Sequence, residues 1–463
     1  MIRVSHKAKV PEIGFRAALA RVDAAGLLMK VEDQVDWDLE IGSLLACMPN
    51  QAMFFKRVKD HDFKVLGNFL SSDGNILTAF DADLQGFRGR IDHGLANPLA
   101  PSKVDSAPVH EVFHEEPDLG ELLPLLRYAP LDGGRYISGG IVVAKDPETG
   151  VYNASYHRLM HAGGNKLLIR LDLGRHLRTL WEKAKAKGQA LPVAVVMGPD
   201  LGLIYAAAIM GAQLPLEMDE YRVASGIKGR PLEVVDGQRV PLLVPANCEL
   251  VMEGSISPDE MMDEGPFMEF VWLYSEVAPA PVVTIECLYH RRTPIWHVIT
   301  ARESPVLTKS VREGVILKAV RASAPCVVDL ALTPGGLYRF HLVVSVHKAG
   351  PSDEGVQRNA AYAAITALKD LDLIILVDDD IDIRDWTDVE WAIATRWDAS
   401  RGFILLPDSR GHEYIPISRG GVRTKVIIDA TLPAGFTRRH KRVPIPKGDL
   451  SRYRTSTVPG LDP

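Results

Sequence analysis

Between residues 125 and 310 the chain carries six separate runs of β-branched or alternating apolar residues, which read as strands and make this the strand-rich zone of the chain. The runs are 137–143, 166–171, 192–197, 248–256, 282–290 and 295–299. Two helical stretches interrupt them, 176–187 and 201–210, the second following the strand that ends at Met197. Past residue 311 the character changes. A strand over 341–346, a helix over 355–368, an apolar strand over 371–377 and a helix capped by Asp385 and running to Arg396 follow in order. That alternation predicts an α/β layer with at least one parallel pair. Residues 11–95 mix both signals, with a helix over 12–28 and strands over 51–58 and 63–69. The proline-rich, acidic stretch 98–124 reads as linker or surface loop. The expected fold class is α/β (α+β), in units of 1–124, 125–310 and 311–463.

A net charge of −6 leaves no basic footprint for nucleic acid. The cluster Arg438, Arg439, His440, Lys441, Arg442 reads as solvated tail. Cys47, Cys248, Cys287 and Cys326 form no CxxC pair, which fits a reducing cytoplasm. The charged N-terminus lacks the apolar stretch of a signal peptide, and no run approaches the roughly 20 apolar residues of a membrane span. Walker, GxGxxG, GxSxG and HExxH motifs are absent.

Glu264 and Glu269 lie five residues apart across Gly265-Pro266. Neither a helix nor a plain strand would bring them to one side, but a Gly-Pro turn can aim both at one cavity. Crowded carboxylates raise one another's proton affinity, which keeps one of them available as a proton donor. An acidic surface loop suits the same spacing, and the residues alone do not choose. The polar run from Asn153 to Arg158 ends in an arginine able to hold a carboxylate by its fork, or simply to end a surface strand. Asn153, His176 and Glu220 form a plausible set of ligands for Mn²⁺ or Mg²⁺, although His176 and Glu220 also suit ordinary helix starts. Asp378, Asp379, Asp380 and Asp382 offer a second metal reading, that of a divalent-metal hydrolase, against one of caps and solvated turns. Trp272, Tyr274, Trp296 and His297 are candidates for pocket lining or core.

Together these segments resemble the UbiD family of prenylated-FMN-dependent decarboxylases, which includes ferulic acid decarboxylase, over roughly residues 135–432. The marks are EGPFMEF at 264–270, PANCELVMEG at 245–254, YHRRTPIWH at 289–297, VDDDIDI at 377–383 and VEWAIATRWD at 389–398. The resemblance implies a split β-barrel flavin-binding domain flanked by an N-terminal α/β region and a C-terminal α/β oligomerisation domain. It implies Arg158, Glu264 and Glu269 as the catalytic trio, with Glu269 delivering the proton that replaces CO2 on a substrate carbon attached to the flavin. Prenylated FMN would meet Asn153, Ser155, Tyr156, His157, Arg158, Arg175, His176, Leu214, Pro215 and Glu220. A divalent metal on Asn153, His176 and Glu220, with K⁺, would bridge its phosphate. A flavin prenyltransferase would supply the cofactor, the substrate would be an aromatic, heteroaromatic or α,β-unsaturated acid, and the chain would form a homodimer or homohexamer. Met268 stands where the family usually has glycine, which keeps open a non-catalytic flavin-binding subunit.

Overall fold

A computed structural model describes residues 12–209, 214–434 and 443. The basic cluster at 438–442, most of the tail and residue 210 lie outside the described residues. The strand-rich zone folds as one nine-stranded sheet, antiparallel throughout. Its order is Tyr136–Ile137, Leu159–His161, Lys166–Ile169, Ala278–His290, Leu250–Glu264, Leu191–Met197, Ile141–Lys145 and Tyr152–Tyr156, with Val112–Glu115 added onto Ala278–His290. Tyr152–Tyr156 is at one end of this order and Leu159–His161 is next to the other. Only His157 and Arg158 connect them, so the sheet has to curl until its ends meet. Arg158 sits in that seam.

Both faces of the curl are covered, which explains why its strands read as nearly continuous apolar runs rather than alternations. Ile141, Val143, Ala194 and Val196 pack in one cluster with the helices Leu201–Ala206 and Glu220–Lys228. Their neighbours Val142, Ala144, Val193 and Val195 pack in the other with Leu177, Leu180 and Trp181 of the helix His176–Ala186.

Several expectations need correction. The single strand expected at 137–143 is two strands, Tyr136–Ile137 and Ile141–Lys145, with a break at 138–140 where the chain passes so close to the His297 carbonyl that a Cβ at Gly139 would lie 2.3 Å from its oxygen. The strand Ile295–His297 leaves the barrel and completes a sheet with Lys64–Gly67, Ala52–Val58 and Leu28–Val35. The N-terminal helix is Phe15–Ala24, and Leu28 already belongs to a strand. The supposed linker 98–124 is stitched in by pairing of Ser102–Lys103 and Val112–Glu115, with Val109, Leu119 and Leu123 buried. The helix Glu303–Ser323, which contains residue 310, was not legible as a helix. Its buried side includes Lys309 and Glu313, held by Asp73 and Arg88, and these charges interrupt the apolar stripe.

The C-terminal layer follows the expected alternation. Its order is Val327–Leu332, His341–Val346, Leu373–Asp378, Val422–Asp429, Phe403–Arg410; the middle three strands are parallel. The helix Val356–Ala367 is one crossover. Asp385 caps the helix Trp386–Arg396 by accepting from the Thr387 N–H at 2.9 Å.

Candidate active site

Glu264 is the last residue of the strand Leu250–Glu264 and pairs with Ala278, the first residue of the returning strand. Residues 265–277 therefore form a loop hung from the ends of two strands of 15 and 13 residues. Gly265 starts it at φ 99°, a conformation open to glycine. Inside the loop, the Glu269 N–H donates to the Leu273 carbonyl at 2.9 Å and the Ser275 N–H to the Phe267 carbonyl at 2.9 Å. This inner turn brings Glu269 back beside Glu264. Asp132 and Gly133 clamp the loop from the barrel side. Asp132 Oδ1 accepts from the Met268 N–H at 3.0 Å, and the Gly133 N–H donates to the Pro266 carbonyl at 2.7 Å. Met268 is thereby fixed by its backbone, with its side chain packed on the barrel core.

Arg158 joins the two glutamates. Its Nε and Nη2 donate to Glu264 Oε1 and Oε2 at 2.9 and 2.8 Å, and its Nη1 donates to Glu269 Oε1. Nη2 also reaches Ser275 Oγ at 3.1 Å. Glu264 is fully buried and takes a further hydrogen bond from the Tyr136 hydroxyl at 3.1 Å. The Phe267 ring lies 5.3 Å from the Arg158 guanidinium and 4.3 Å from the Tyr136 ring. Burial raises the proton affinity of Glu269; Arg158 opposes this, and the charges of Asp172 and Glu264 add to it. For Arg158 burial works against the charge, but Glu264 and Glu269 outweigh it and hold the guanidinium firmly protonated.

The second group of candidates lies along the strand Tyr152–Tyr156. Asn153 Nδ2 and the Ala154 N–H donate to the two oxygens of Glu220, each at 3.0 Å. Burial pushes Glu220 up to about 8. Ser155 Oγ donates to Asn153 Oδ1 and contacts His157 Nε2, both at 3.1 Å, and His157 is held neutral by burial, at about 4. The Tyr156 hydroxyl is buried with no hydrogen-bond partner among the described residues. His176 opens its helix half-buried, and burial and Arg175 disfavour its protonation. It makes no hydrogen bond to Asn153 or Glu220 among the described residues. Leu214 is buried; Arg175 and Pro215 are exposed.

Other candidates fall away. Arg396 binds Asp378 at 2.8 Å and Asp380 at 2.7 Å, and His347 meets Asp379 at 2.7 Å. A guanidinium thus stands where the hydrolase reading needs a metal. Trp296 and His297 are core, His297 packing on Phe15 and Phe69. Trp272 is half exposed beneath Arg302. Tyr136, Asp132, Gly133 and Ser275 belong to the site but escaped the sequence reading, because only the curl of the sheet brings them to the loop.

Glu303 is a further buried carboxyl, accepting from the Leu70 N–H at 2.7 Å and pushed up by burial to about 7. The folded protein holds this proton more tightly than the unfolded chain, whose carboxyl titrates near about 4.3. Its stabilising effect is complete below that value and is lost as pH rises to about 7. Thermal unfolding from pH 5 to 7 should therefore decline less steeply in Glu303→Gln than in the parent.

Three family models match in succession: the 3-octaprenyl-4-hydroxybenzoate carboxy-lyase N-terminal domain at 19–87, its Rift-related domain at 102–303 and its C-terminal domain at 306–430. An anhydromevalonate phosphate decarboxylase of Methanosarcina mazei is 37% identical, over 90% of this chain and 96% of its own. A gallate decarboxylase of Lactiplantibacillus plantarum is 29% identical over 87% and 88%. The UbiD-class enzyme HmfF from Pelotomaculum thermopropionicum, solved in complex with FMN, superposes with a TM-score of 0.90 at 36% identity, covering 95% of this chain and 100% of that one. From end to end of its described fold, the chain belongs to the UbiD family of decarboxylases.

Proposed function

We propose that this carboxy-lyase catalyses the reversible, non-oxidative decarboxylation of an aromatic, heteroaromatic or α,β-unsaturated carboxylic acid with prenylated FMN, and that Glu269 is its proton donor. The observation that carries the reading is the single guanidinium of Arg158 spanning a fully buried Glu264 and a second carboxyl, Glu269, whose proton affinity is raised. The same trio speaks against a non-catalytic subunit, which would have no use for it. A gallate decarboxylase among the relatives supports an aromatic acid as substrate.

The residues present fit the cofactor. Glu220 is a buried carboxylate with amide partners, and a divalent cation would relieve the burial that lifts its proton affinity. Asn153, Glu220 and a neutral His176 are a hard oxygen and imidazole set suited to Mn²⁺ or Mg²⁺. They would hold the flavin phosphate through the metal, with K⁺ alongside. Ser155, Tyr156, His157, Arg175, Leu214 and Pro215 would line the rest. When bound, prenylated FMN would supply an electron sink for the bond that CO2 leaves. The protein does the rest. Arg158 orients the substrate carboxylate, Glu264 fixes Arg158 by both oxygens, and Glu269 gives its proton to the vacated carbon. The protonated acid is the active form, so turnover should fall as pH rises through the Glu269 pKa. Supply by a flavin prenyltransferase, a cytoplasmic setting and a homodimeric or homohexameric assembly complete the proposal.

Glu269→Gln should keep flavin binding and lose turnover by about 10²–10⁴-fold, measured as CO2 release from the loaded enzyme. Turnover at the parent rate would rule Glu269 out as the donor.

A further inference from the structure

One loop of the C-terminal layer reaches Phe270, the residue next to Glu269. Residues 411–421 connect Phe403–Arg410 to Val422–Asp429 and place His412 and Tyr414 against Phe270, the neighbour of Glu269. His412 meets the Phe270 ring edge-on at 5.4 Å, Phe340 stacks on it at 6.3 Å, and Tyr414 packs on His412 at 5.1 Å. Arg339 lies 4.9 Å from the same ring and is itself anchored to Asp370 at 2.7 Å. From this platform the Tyr414 hydroxyl donates to Asp172 Oδ1 at 2.7 Å. Asp172 belongs to the barrel, in the loop after Lys166–Ile169, so the hydrogen bond crosses from one unit to the other. The decarboxylation derived above uses neither residue.

We propose that Tyr414 and Asp172 form a latch between the C-terminal layer and the barrel, and that Asp172, so held, is a positioning residue for Glu269. The inference rests on the reading of Glu269 as proton donor.

Burial opposes the Asp172 charge, but the Tyr414 hydrogen bond and the fields of Arg170, Arg175 and Arg158 keep the carboxylate ionised. The charged and titratable groups that act on Glu269 are Arg158, Asp172, Glu264 and Tyr414. Tyr414 stays a neutral donor, because burial, Asp172 and Glu269 all suppress its ionisation. Asp172 and Glu264 therefore oppose Arg158 and favour the protonated acid. With 37% of its side chain exposed, Asp172 has Arg170, whose Nε lies 3.4 Å from Oδ1, and water as its alternative partners. If the loop withdrew, the carboxylate could turn outward, where solvent screens its field. The latch thus ties the charge state of the donor to the seating of the C-terminal layer.

The test has two readouts. In cofactor-free protein, Asp172→Asn and Tyr414→Phe should each speed amide hydrogen exchange in 171–175 and 411–417 by about tenfold, with little added in the double variant. In the loaded enzyme, Asp172→Asn should move the alkaline limb of kcat to lower pH by about half a unit or more. Asp172→Glu, which keeps the charge, should restore the limb; a purely structural contact would not produce this pattern. Unchanged exchange in Tyr414→Phe, or an unmoved limb in Asp172→Asn, would overturn the proposal. The exchange readout needs neither cofactor nor turnover, so failure of the donor reading, an active Glu269→Gln, would show separately.

Discussion

Arg158→Ala should lower turnover by about 10⁴-fold and destabilise the protein by about 3–5 kcal/mol. Both effects come from one geometry. Glu264 has no exposed surface, and Arg158 supplies two of its hydrogen bonds; Tyr136 supplies the third. Removing the arginine leaves a buried carboxylate with one neutral partner, and it must either take up a proton or admit water. Arg158 also joins the two edges of the curled sheet to the loop that carries Glu269, so Glu269 loses its partner at the same time. Arg158→Lys should recover part of the stability and little of the activity, because an ammonium cannot grip Glu264 by a planar fork while reaching Glu269. Urea unfolding and CO2 release measured on the same preparations separate the two effects. A fully stable Arg158→Ala would mean that Glu264 is not the buried anion this geometry requires.

Gly133→Ala should be nearly as damaging although it removes nothing. A Cβ there would lie 2.1 Å from the Gly265 carbonyl oxygen and 2.6 Å from its carbon, both backbone atoms that no side-chain rotation can move aside. The Gly133 N–H also holds the Pro266 carbonyl, so a shift of residue 133 drags the loop with it. Overpacking of this kind costs about 1–3 kcal/mol or more. A displacement of about 1 Å at the carboxyls would cost on the order of 100-fold in rate. Gly134→Ala is the control, since its Cβ would meet the flexible Met160 side chain at 3.3 Å and the His161 carbonyl at 3.8 Å, an ordinary contact. Equal activity in the two variants would refute the clamp.

Gly133 also shows what the sequence could and could not reveal. Its role is one of space, set by a partner more than 130 positions away, and no local pattern records it. Glu264 and Glu269 were legible as a candidate pair because a Gly-Pro turn can aim both at one cavity, but their spacing suited a surface loop as well. Their link to Arg158 was legible only through family resemblance, since it depends on the sheet closing at residues 157 and 158. The β-α-β-α order of the C-terminal layer was plain because the strands His341–Val346 and Leu373–Asp378 are parallel and buried except at their ends, and each is followed by a helix, the second capped by Asp385. The helix Glu303–Ser323 was hidden because tertiary ion pairs let charged side chains occupy its buried side. His176 was not legible as a companion of Asn153 and Glu220 by contact, because among the described residues the hydrogen bonds join the other two.

The most direct measurement uses protein produced together with a flavin prenyltransferase, its bound flavin identified by mass and absorbance. CO2 release is then followed with benzoic, cinnamic, furoic, pyrrole-carboxylic and indole-carboxylic acids, and with saturated aliphatic acids for comparison. The expected result is a bound prenylated flavin and turnover of at least one of these unsaturated acids, absent in Glu269→Gln. A protein that binds the flavin yet releases CO2 only from saturated aliphatic acids, or equally well without Glu269, would contradict it.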